Sequence, residues 1–477
     1  MIKPSLYFNK GLAALIILMN LLVYCCSSNP SKLEPDQQKR YNVLFLIVDD
    51  MNDYGFYHGF PKVKMPYLDA FKKTAITFER AYCASPVCTP SRAATFSGLY
   101  PHNTGAYFNG SDPWNQSELL KSVETMPECF KRNGYTTFGR GKLYHAQLEE
   151  GRIENNFDNR PLYGGGFGPF PDEDHQIKGK FWGYQSFPDS LFPDVKNAEA
   201  AIEFLKKDKD KPFFLGLGLW RPHSPFTAPQ RFYDMYDIDE IEFPAGFKKD
   251  DTTDIPELSK TLLDPFGRFP VSGLTTPDKW KEMLLAYNAC NSFADWSIGR
   301  VIKELDNSKY ADNTIVVFWS DNGYHCGEKN HWEKNTLYEQ AALTPLAIRI
   351  PGSETNGKII TAPVSLVDLY ATLIDYCGLN SPKNEIDSKS LRPLLENPQA
   401  NWEHPAITTF GEGSVSIRSQ RYRYIQYVDG SEELYDHNSD PYEFKNIANE
   451  TALSSIKTNL RRYIPKKFAK ELPGRKN

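Results

Sequence analysis

The chain has 477 residues, of which 40% are hydrophobic and 24% charged, and this composition excludes disordered, collagen-like and coiled-coil proteins. Its 55 Lys and Arg residues against 60 Asp and Glu residues give a net charge of −5, whereas nucleic-acid-binding proteins carry a basic excess, so we expect no nucleic-acid partner. A chain of this length exceeds what one hydrophobic core usually supports, and we expect a large domain followed by a smaller one.

The first predicted element is an export signal over residues 1–25. Two lysines precede an apolar run from Gly11 to Tyr24, and Cys25-Cys26-Ser27-Ser28 follows it. The run is shorter than the ~20 residues that a membrane span needs, and its end resembles a bacterial lipoprotein cleavage box. We expect export to the periplasm or outer-membrane surface of a bacterium, with acylated Cys26 as the only membrane attachment. An ordinary secretory signal cut nearby is the alternative.

Buried strands alternate with helices along most of the remaining chain. Short apolar runs rich in β-branched residues predict strands that are covered on both faces of a parallel sheet, and they lie at 42–48, 213–219, 314–319 and 345–350. Helix-like segments lie between or after them, at 197–207, 279–305 and 364–377. This order predicts an α/β domain over 41–398, with a mostly parallel central sheet between helices.

The C-terminal part has a different pattern. After a polar stretch at about 386–400, short Tyr-rich runs at 414–418 and 422–428 are typical of antiparallel strands. They predict a small α+β domain over 399–477 with an antiparallel sheet. Upstream, the segment 150–195 is rich in Gly, Pro, Phe and Asp, and we expect it to form irregular loops near a binding cleft.

Two polar pairs follow predicted strands. Asp49-Asp50 ends the first strand, and Asp321-Asn322 follows the strand at 314–319. Ligands of open parallel sheets bind beyond the carboxyl ends of the strands, so the two pairs are expected to converge. Carboxylate and amide oxygens suit hard cations such as Ca²⁺ or Mg²⁺. Each pair taken alone has the simpler interpretation of capping a turn.

A motif at Cys88 adds independent information. The sequence Cys88-Thr89-Pro90-Ser91-Arg92, followed by a glycine at Gly98, resembles the signature of the type I sulfatases, in which the cysteine is oxidised to formylglycine. Further motifs occur in the order of the iduronate-2-sulfatase-like branch of that family: NVLFLIVDD at 42–50, GKLYH at 141–145, RPHSPF at 221–226 and HWEK at 331–334. The resemblance covers nearly the whole exported chain and implies an alkaline-phosphatase-like large domain.

The resemblance implies a metal site and a modified residue. One calcium ion per chain would be held by a set of oxygen ligands, namely Asp49, Asp50, Asp321, Asn322 and the formylglycine made from Cys88. Conversion of Cys88 requires a partner, either a formylglycine-generating enzyme or an anaerobic sulfatase-maturing enzyme. The hydrated aldehyde is a geminal diol, in which one hydroxyl attacks sulfur and the other later expels sulfate.

The remaining catalytic candidates follow from the needs of sulfate ester cleavage. The resemblance places three cations, Arg92, Lys142 and Lys334, around the diol and the sulfate anion. The leaving alcohol needs a proton, and His145 and His223 are both candidates for the general acid. Lys334 and His223 are also expected to contact the terminal sugar of the substrate, Lys334 through a sulfate or a sugar carboxylate.

These expectations describe a sulfatase that acts at the end of sulfated oligosaccharides. The substrate is expected to derive from a uronic-acid-containing polysaccharide, and glycosaminoglycans and algal ulvan both remain open. The alternatives are a phosphodiesterase or phosphonate hydrolase on the same fold, and a glycan-binding lipoprotein whose catalytic set has decayed. Retention of Cys88, Pro90 and Arg92 argues against the decayed protein.

Overall fold

The computed structural model describes Met1 and residues 40–56, 63–145, 156–159, 166–168, 182–263 and 277–474. Its contacts separate Met1–Lys39 from a unit that runs from Arg40 to Asn477, and the fold below is that of the second unit. The predicted export signal, Cys26 and most of the segment 150–195 lie outside the described residues. Among the described helices, none has the length and apolar composition of a membrane-spanning segment.

The strands and helices are numbered in chain order. The strands are β1 (Asn42–Asp49), β2 (Ile76–Phe78), β3 (Ala81–Tyr82), β4 (Thr136–Gly141), β5 (Trp182–Gln185), β6 (Phe213–Pro222), β7 (Phe226–Pro229), β8 (Thr314–Ser320), β9 (His325–Cys326), β10 (Trp332–Glu333), β11 (Leu343–Thr344), β12 (Leu346–Arg349), β13 (Ile359–Ile360), β14 (Val364–Ser365), β15 (Ala406–Thr409), β16 (Val415–Arg418), β17 (Tyr422–Gln426) and β18 (Glu432–Asp436). The helices are α1 (Pro66–Lys72), α2 (Cys88–Ser97), α3 (Pro101–Thr104), α4 (Pro113–Gln116), α5 (Glu118–Ser122), α6 (Met126–Arg132), α7 (Pro193–Lys206), α8 (Gln230–Tyr233), α9 (Glu257–Leu263), α10 (Pro277–Asp306), α11 (Glu339–Ala342), α12 (Leu369–Cys377), α13 (Arg392–Glu396) and α14 (Ser454–Arg461).

The central sheet has seven strands in the order β13-β2-β12-β8-β1-β6-β4. β1 pairs in parallel with both β6 and β8, and β4 pairs in parallel with β6. The predicted mostly parallel sheet is therefore confirmed. β12, which corresponds to the apolar run at 345–350, is antiparallel to β8 and β2. The short elements between β8 and β12 include no long crossover helix, which a parallel return would need.

Alternation along β1 explains why helices cover both faces of this sheet. Every residue of β1 is buried. Because successive side chains point to opposite faces, the odd-numbered apolar residues 43–47 pack with α2, α6 and α12, and the even-numbered residues 44–48 pack with α1, α7 and α10. The continuous apolar run is thus buried between two helical layers, as the sequence predicts.

Two predicted helices differ from the observed ones at their starts. α7 begins at Pro193 rather than at 197, because proline in the first turn is compatible with a helix and has a suitable φ angle. The segment 364–377 is divided into β14, a short 3₁₀ turn at Leu366–Asp368, and α12. Ser365 and Asp368 form a reciprocal capping box at this turn, so the chain becomes helical only after the strand has ended.

The C-terminal part contains the predicted antiparallel sheet. Its four strands lie in the order β15-β16-β17-β18 and pair antiparallel throughout. Apolar residues of β16, β17 and β18 pack in one cluster with Leu460 of α14. Buried Arg423 of β17 donates to Glu443 (2.6 Å) and contacts Glu339 of α11, which joins this sheet to the chain that follows β8.

Candidate active site

The carboxyl ends of β1 and β8 bring the two polar pairs together. The strands are parallel neighbours, so Asp49-Asp50 and Asp321-Asn322 leave the sheet at the same edge. The backbone N–H of Asp50 donates to Asp321 Oδ1 (3.2 Å), and Asn322 Nδ2 donates to Asp50 Oδ1 (2.8 Å). Convergence expected from the strand order is therefore present in the structure.

The converging side chains form a cluster of ligand atoms with Cys88. One atom from each of Asp49, Asp50, Cys88 and Asp321 lies within 4.8 Å of the others, and all four residues are buried. Asn322 Oδ1 is also buried and has no hydrogen-bond partner among the described residues. A buried unpaired oxygen is costly unless something binds it. Three carboxylates and a free amide oxygen therefore fit a hard cation.

Three buried cations neutralise the carboxylates of this cluster. Lys142 contacts Asp49 and Lys334 contacts Asp50. Arg92 Nε donates to Asp321 Oδ2 (2.6 Å). Burial by itself raises the pKa of Asp49 and Asp50, but Lys142 and His223 lower the first, Lys334 and His223 lower the second, and both pKa values end below the ordinary value. Both side chains are therefore ionised at neutral pH.

Cys88 is the first residue of α2 and lies at the centre of this arrangement. Lys334 Nζ is 3.0 Å from Cys88 Sγ, and Sγ is 3.7 Å from Asp50 Oδ1. Pro90 lies in the first turn of α2, where proline is compatible with a helix. Burial raises the pKa of the Cys88 thiol well above its ordinary value, and Asp49 raises it further. The encoded thiol is thus held protonated, which makes it a poor nucleophile.

Arg92 lies one turn further along α2 and is fully buried. Its guanidinium donates to Asp321 and, at 3.4 Å, to Asp49 Oδ1. The same group donates to the carbonyl oxygen of Leu143 (3.2 Å) and contacts that of Lys142. Arg92 therefore links the ends of β1 and β8 to the chain that follows β4.

The two candidate histidines lie on different segments near the cluster: His145 follows β4 and His223 follows β6. His223 Nε2 is 3.6 Å from Asp50 Oδ2, and about 20% of this side chain is exposed. Burial lowers the pKa of His223 to about 4, although Asp50 and Asp49 oppose the shift. Burial also lowers the pKa of His145 well below its ordinary value, and Lys142 adds to this. His145 Nδ1 is buried without a partner among the described residues.

The turn that carries His223 is held by residues to which the sequence assigned no role. The Asp194 carboxylate, in the first turn of α7, accepts the backbone N–H groups of Trp220 (2.8 Å) and Arg221 (3.0 Å). The buried Arg221 guanidinium donates to the carbonyl oxygens of Thr227 (2.6 Å) and Phe167 (2.5 Å). An acidic residue in a first helical turn is common, so Asp194 gave no distinct signal.

Phe167 forms an aromatic wall beside the candidate catalytic groups. Its ring stacks on His223, with centroids 4.6 Å apart and an interplanar angle of 29°. It also meets Trp220 edge-on at 4.6 Å, and Lys142 Nζ lies 5.6 Å from its centroid. One residue of the Phe-rich segment 150–195 is therefore placed next to the site.

Comparison with known proteins identifies the family. A family model described as Sulfatase matches residues 41–379, and one described as N-sulphoglucosamine sulphohydrolase, C-terminal, matches residues 327–470. The chain belongs to the sulfatase family. A protein named Sulfatase from Formosa agariphila is 35% identical over 475 residues, which covers 94% of this chain and 91% of that protein. The chain is accordingly a sulfuric ester hydrolase.

Further relatives of this family member carry more specific names. An ulvan-active sulfatase from Formosa agariphila is 28% identical, covering 96% of this chain and 86% of that protein. The human iduronate 2-sulfatase is 26% identical, covering 86% of this chain and 91% of that protein. The resemblance to an iduronate-2-sulfatase-like branch is confirmed by these matches.

Solved structures confirm the fold class. The phosphonate monoester hydrolase of Agrobacterium radiobacter superposes with a TM-score of 0.74 at 21% identity, covering 89% of this chain and 94% of that chain. A 2-O GAG sulfatase superposes with a TM-score of 0.70 at 23% identity, covering 89% and 90%. The large domain is thus alkaline-phosphatase-like, with a mostly parallel central sheet and a C-terminal antiparallel sheet.

Proposed function

We propose that this sulfatase removes sulfate from oligosaccharides of a sulfated uronic-acid polysaccharide, with a formylglycine made from Cys88 and one bound calcium ion. The observation that carries the proposal is the position of Cys88. Its sulfur lies among the strand-end carboxylates and 3.0 Å from the Lys334 ammonium. The ulvan-active and iduronate 2-sulfatase relatives support a sulfated, uronate-containing glycan as substrate.

Calcium would be held by the side chains that already converge at the ends of β1 and β8. These are Asp49, Asp50, Asp321 and Asn322, together with the oxygen that replaces the sulfur of Cys88. When bound, the ion supplies positive charge beside the sulfate oxygens and the attacking hydroxyl. The unpaired Asn322 Oδ1 supports this assignment over a site neutralised by lysines alone.

Lys334 is assigned to the sulfate group rather than to the sugar. Its ammonium contacts Asp50 and Cys88, so it lies where the sulfur of the ester must approach residue 88. Arg92 has its donors directed to Asp321, Asp49 and two backbone carbonyls. We therefore propose that Arg92 orients the metal ligands, and that Lys334 is the cation that contacts the transferred group.

His223 and His145 remain the two candidates for the acid that protonates the leaving alcohol. A partly exposed imidazole beside Asp50 supports His223, and an unpaired Nδ1 supports His145. The two roles are separated by a series of aryl sulfates whose leaving phenols differ in pKa. Replacing the true acid by alanine slows esters of weakly acidic phenols far more than esters of strongly acidic ones. Replacing the other histidine lowers all rates by a similar factor.

Substrate choice is tested with defined oligosaccharides. Sulfated fragments from ulvan and from glycosaminoglycans are compared, each with the sulfate on the terminal or on an internal residue. If the enzyme acts at chain ends, sulfate should be released from the terminal sugar alone. Release of sulfate from intact polymer at a comparable rate contradicts this expectation. Sulfate and phosphonate esters of one aryl alcohol are measured in parallel, and faster phosphonate cleavage would point to the alternative hydrolase.

We also propose that the protein is exported and anchored through Cys26. The support is the sequence of residues 1–28 alone. Wild-type protein is expected in the membrane fraction of a bacterial host and to incorporate a radiolabelled fatty acid. The Cys26→Ala variant should leave that fraction without the label. Wild-type protein found wholly in the soluble periplasmic fraction would contradict the anchor.

A further inference from the structure

The backbone turns sharply where β1 ends and the metal ligands begin. Asp50 has a φ of 63°, which lies in the left-handed region that non-glycine residues rarely adopt. Such a conformation persists only where the surroundings hold it. On the side of β8, the Asp50 N–H is bound by Asp321 Oδ1, and the Met51 N–H is bound by Ser320 Oγ at 2.9 Å.

On the other side of this turn, one hydroxyl group bonds two further backbone groups. Tyr287 OH donates to the carbonyl oxygen of Asp50 (2.7 Å) and accepts the N–H of Asn52 (2.8 Å). Tyr287 belongs to the long helix α10 and is 1% exposed. Its ring stacks on Tyr324 at 5.3 Å and meets Phe226 edge-on at 5.4 Å. The hydroxyl therefore has a fixed position.

We propose that Tyr287 is a positioning residue for the metal site, whose hydroxyl sets the bend at Asp50 and so aims the Asp50 carboxylate at Asp321 and Asn322. The inference rests on the proposed calcium site. Nothing in the sequence marks Tyr287, because it lies inside a helix and 237 residues separate it from Asp50. Groups that orient a metal ligand typically change metal affinity ten- to a hundredfold when removed.

Tyr236 provides a matched control. Its hydroxyl also contacts backbone groups, accepting the Lys64 N–H (2.8 Å) and lying 3.3 Å from the Asn288 carbonyl oxygen, and it is 2.6 Å from Ser292 Oγ. These contacts hold the chain that precedes α1 and do not include a candidate ligand. Tyr236→Phe therefore removes a comparable hydroxyl without touching Asp50. A purely structural effect of hydroxyl loss should appear equally in both variants.

The test is calcium binding by isothermal titration calorimetry to chelator-stripped wild type, Tyr287→Phe and Tyr236→Phe. Each variant should fold, because phenylalanine keeps the ring packing. A thermal melting curve recorded in chelator verifies this. We expect Tyr287→Phe to bind Ca²⁺ ten- to a hundredfold more weakly, with a smaller calcium-induced rise in Tm, and Tyr236→Phe to match wild type. Saturating Ca²⁺ should restore much of the turnover of Tyr287→Phe.

Two results overturn the inference and are distinguishable. If wild type binds Ca²⁺ and Tyr287→Phe binds it with the same affinity as Tyr236→Phe, whether or not both are weaker than wild type, Tyr287 has no positioning role and the metal site stands. If wild type binds no Ca²⁺, the calcium proposal fails and the role of Tyr287 fails with it.

Discussion

At the scale of single residues, the site consists of charges that are buried together. Asp49, Asp50 and Asp321 face Arg92, Lys142 and Lys334, and all six side chains are almost completely buried. Buried ion pairs add little net stability compared with apolar residues, but removing one partner leaves an uncompensated charge. The cluster is therefore sensitive to loss of any single member.

Arg92 should be the most costly cation to remove. Arg92→Ala leaves Asp321 and Asp49 without their guanidinium partner, and we expect a loss of ~3–5 kcal/mol in the free energy of unfolding, measured by urea denaturation. Arg231, whose ion pair with Asp189 is partly exposed, is the control, and loss of that pair in Arg231→Ala should cost at most ~1 kcal/mol. Similar losses in the two variants would show that burial of the Arg92 pairs is unimportant.

Lys334→Ala should reduce activity on all sulfate esters to a similar extent. The ammonium contacts Cys88 and Asp50, so its loss affects the sulfate group whichever alcohol is attached. A buried charge-assisted contact is typically worth ~1.5–3 kcal/mol, or roughly ten- to a hundredfold in kcat/KM. Steady-state kinetics on an aryl sulfate and on a sulfated uronoside measure the two losses. A much larger loss on the uronoside would assign Lys334 to the sugar carboxylate instead.

At the scale of secondary structure, contacts between distant elements determine what local sequence could not predict. The ends of β1 and β8 and the Cys88 motif could be located, since strand ends and a five-residue motif are local patterns. The bond from Arg92 to Asp321 joins residues 229 positions apart. Such partners depend on how α2 packs against the sheet, and no local pattern encodes that. The antiparallel direction of β12 could not be predicted for the same reason, because an apolar run does not indicate how a strand is oriented relative to its neighbours.

The N-terminus of α1 illustrates a cap supplied by another helix. Met65, its N-cap residue, makes no side-chain capping bond. Instead the Asp295 carboxylate of α10 accepts the N–H groups of Leu68 (2.7 Å) and Tyr67 (3.2 Å). Burial raises the pKa of Asp295 to about 7, although these two hydrogen bonds oppose the shift.

This raised pKa gives a pH-dependent contribution to stability. The folded state holds a proton on Asp295 that the unfolded chain releases near its ordinary pKa. The contribution is therefore fully present below that ordinary value and is lost as pH rises toward the folded pKa of about 7. Asp295→Asn keeps an oxygen acceptor and removes the titration. Between pH 5 and 7.5 the stability of this variant relative to wild type should rise by about 2–3 kcal/mol in urea titrations. A pH-independent difference would refute the buried titration.

At the scale of the whole molecule, cation binding to the ligand cluster should stabilise the central sheet, and the fold of the sheet should in turn be needed for cation binding. The ligands come from β1, β8 and α2, so a bound cation links the elements that meet at one edge of the sheet. A ligand that binds only the folded state stabilises that state by mass action. Chelation should therefore abolish activity and lower Tm, and added Ca²⁺ should restore both.

Asp321→Ala tests whether the response to Ca²⁺ needs this strand-end carboxylate, and its Tm in chelator should already lie below that of wild type because Arg92 loses a buried partner. The variant removes a strand-end ligand, and it should be inactive with a Tm that no longer rises with Ca²⁺. Asp189→Ala, which alters a partly exposed carboxylate outside the cluster, should keep the full response to Ca²⁺. Full activity of wild type after exhaustive chelation would eliminate the oxygen-ligand site.

We propose that residue 88 of the active enzyme is formylglycine and no longer cysteine. Peptide mass mapping after thiol alkylation tests it directly, because the tryptic peptide 81–92 contains Cys83 and Cys88 together. We expect this peptide to carry one alkyl group, at Cys83, and to be lighter at residue 88 because an aldehyde oxygen replaces the thiol sulfur and two hydrogens are lost. Fully active protein whose peptide carries two alkyl groups would contradict it.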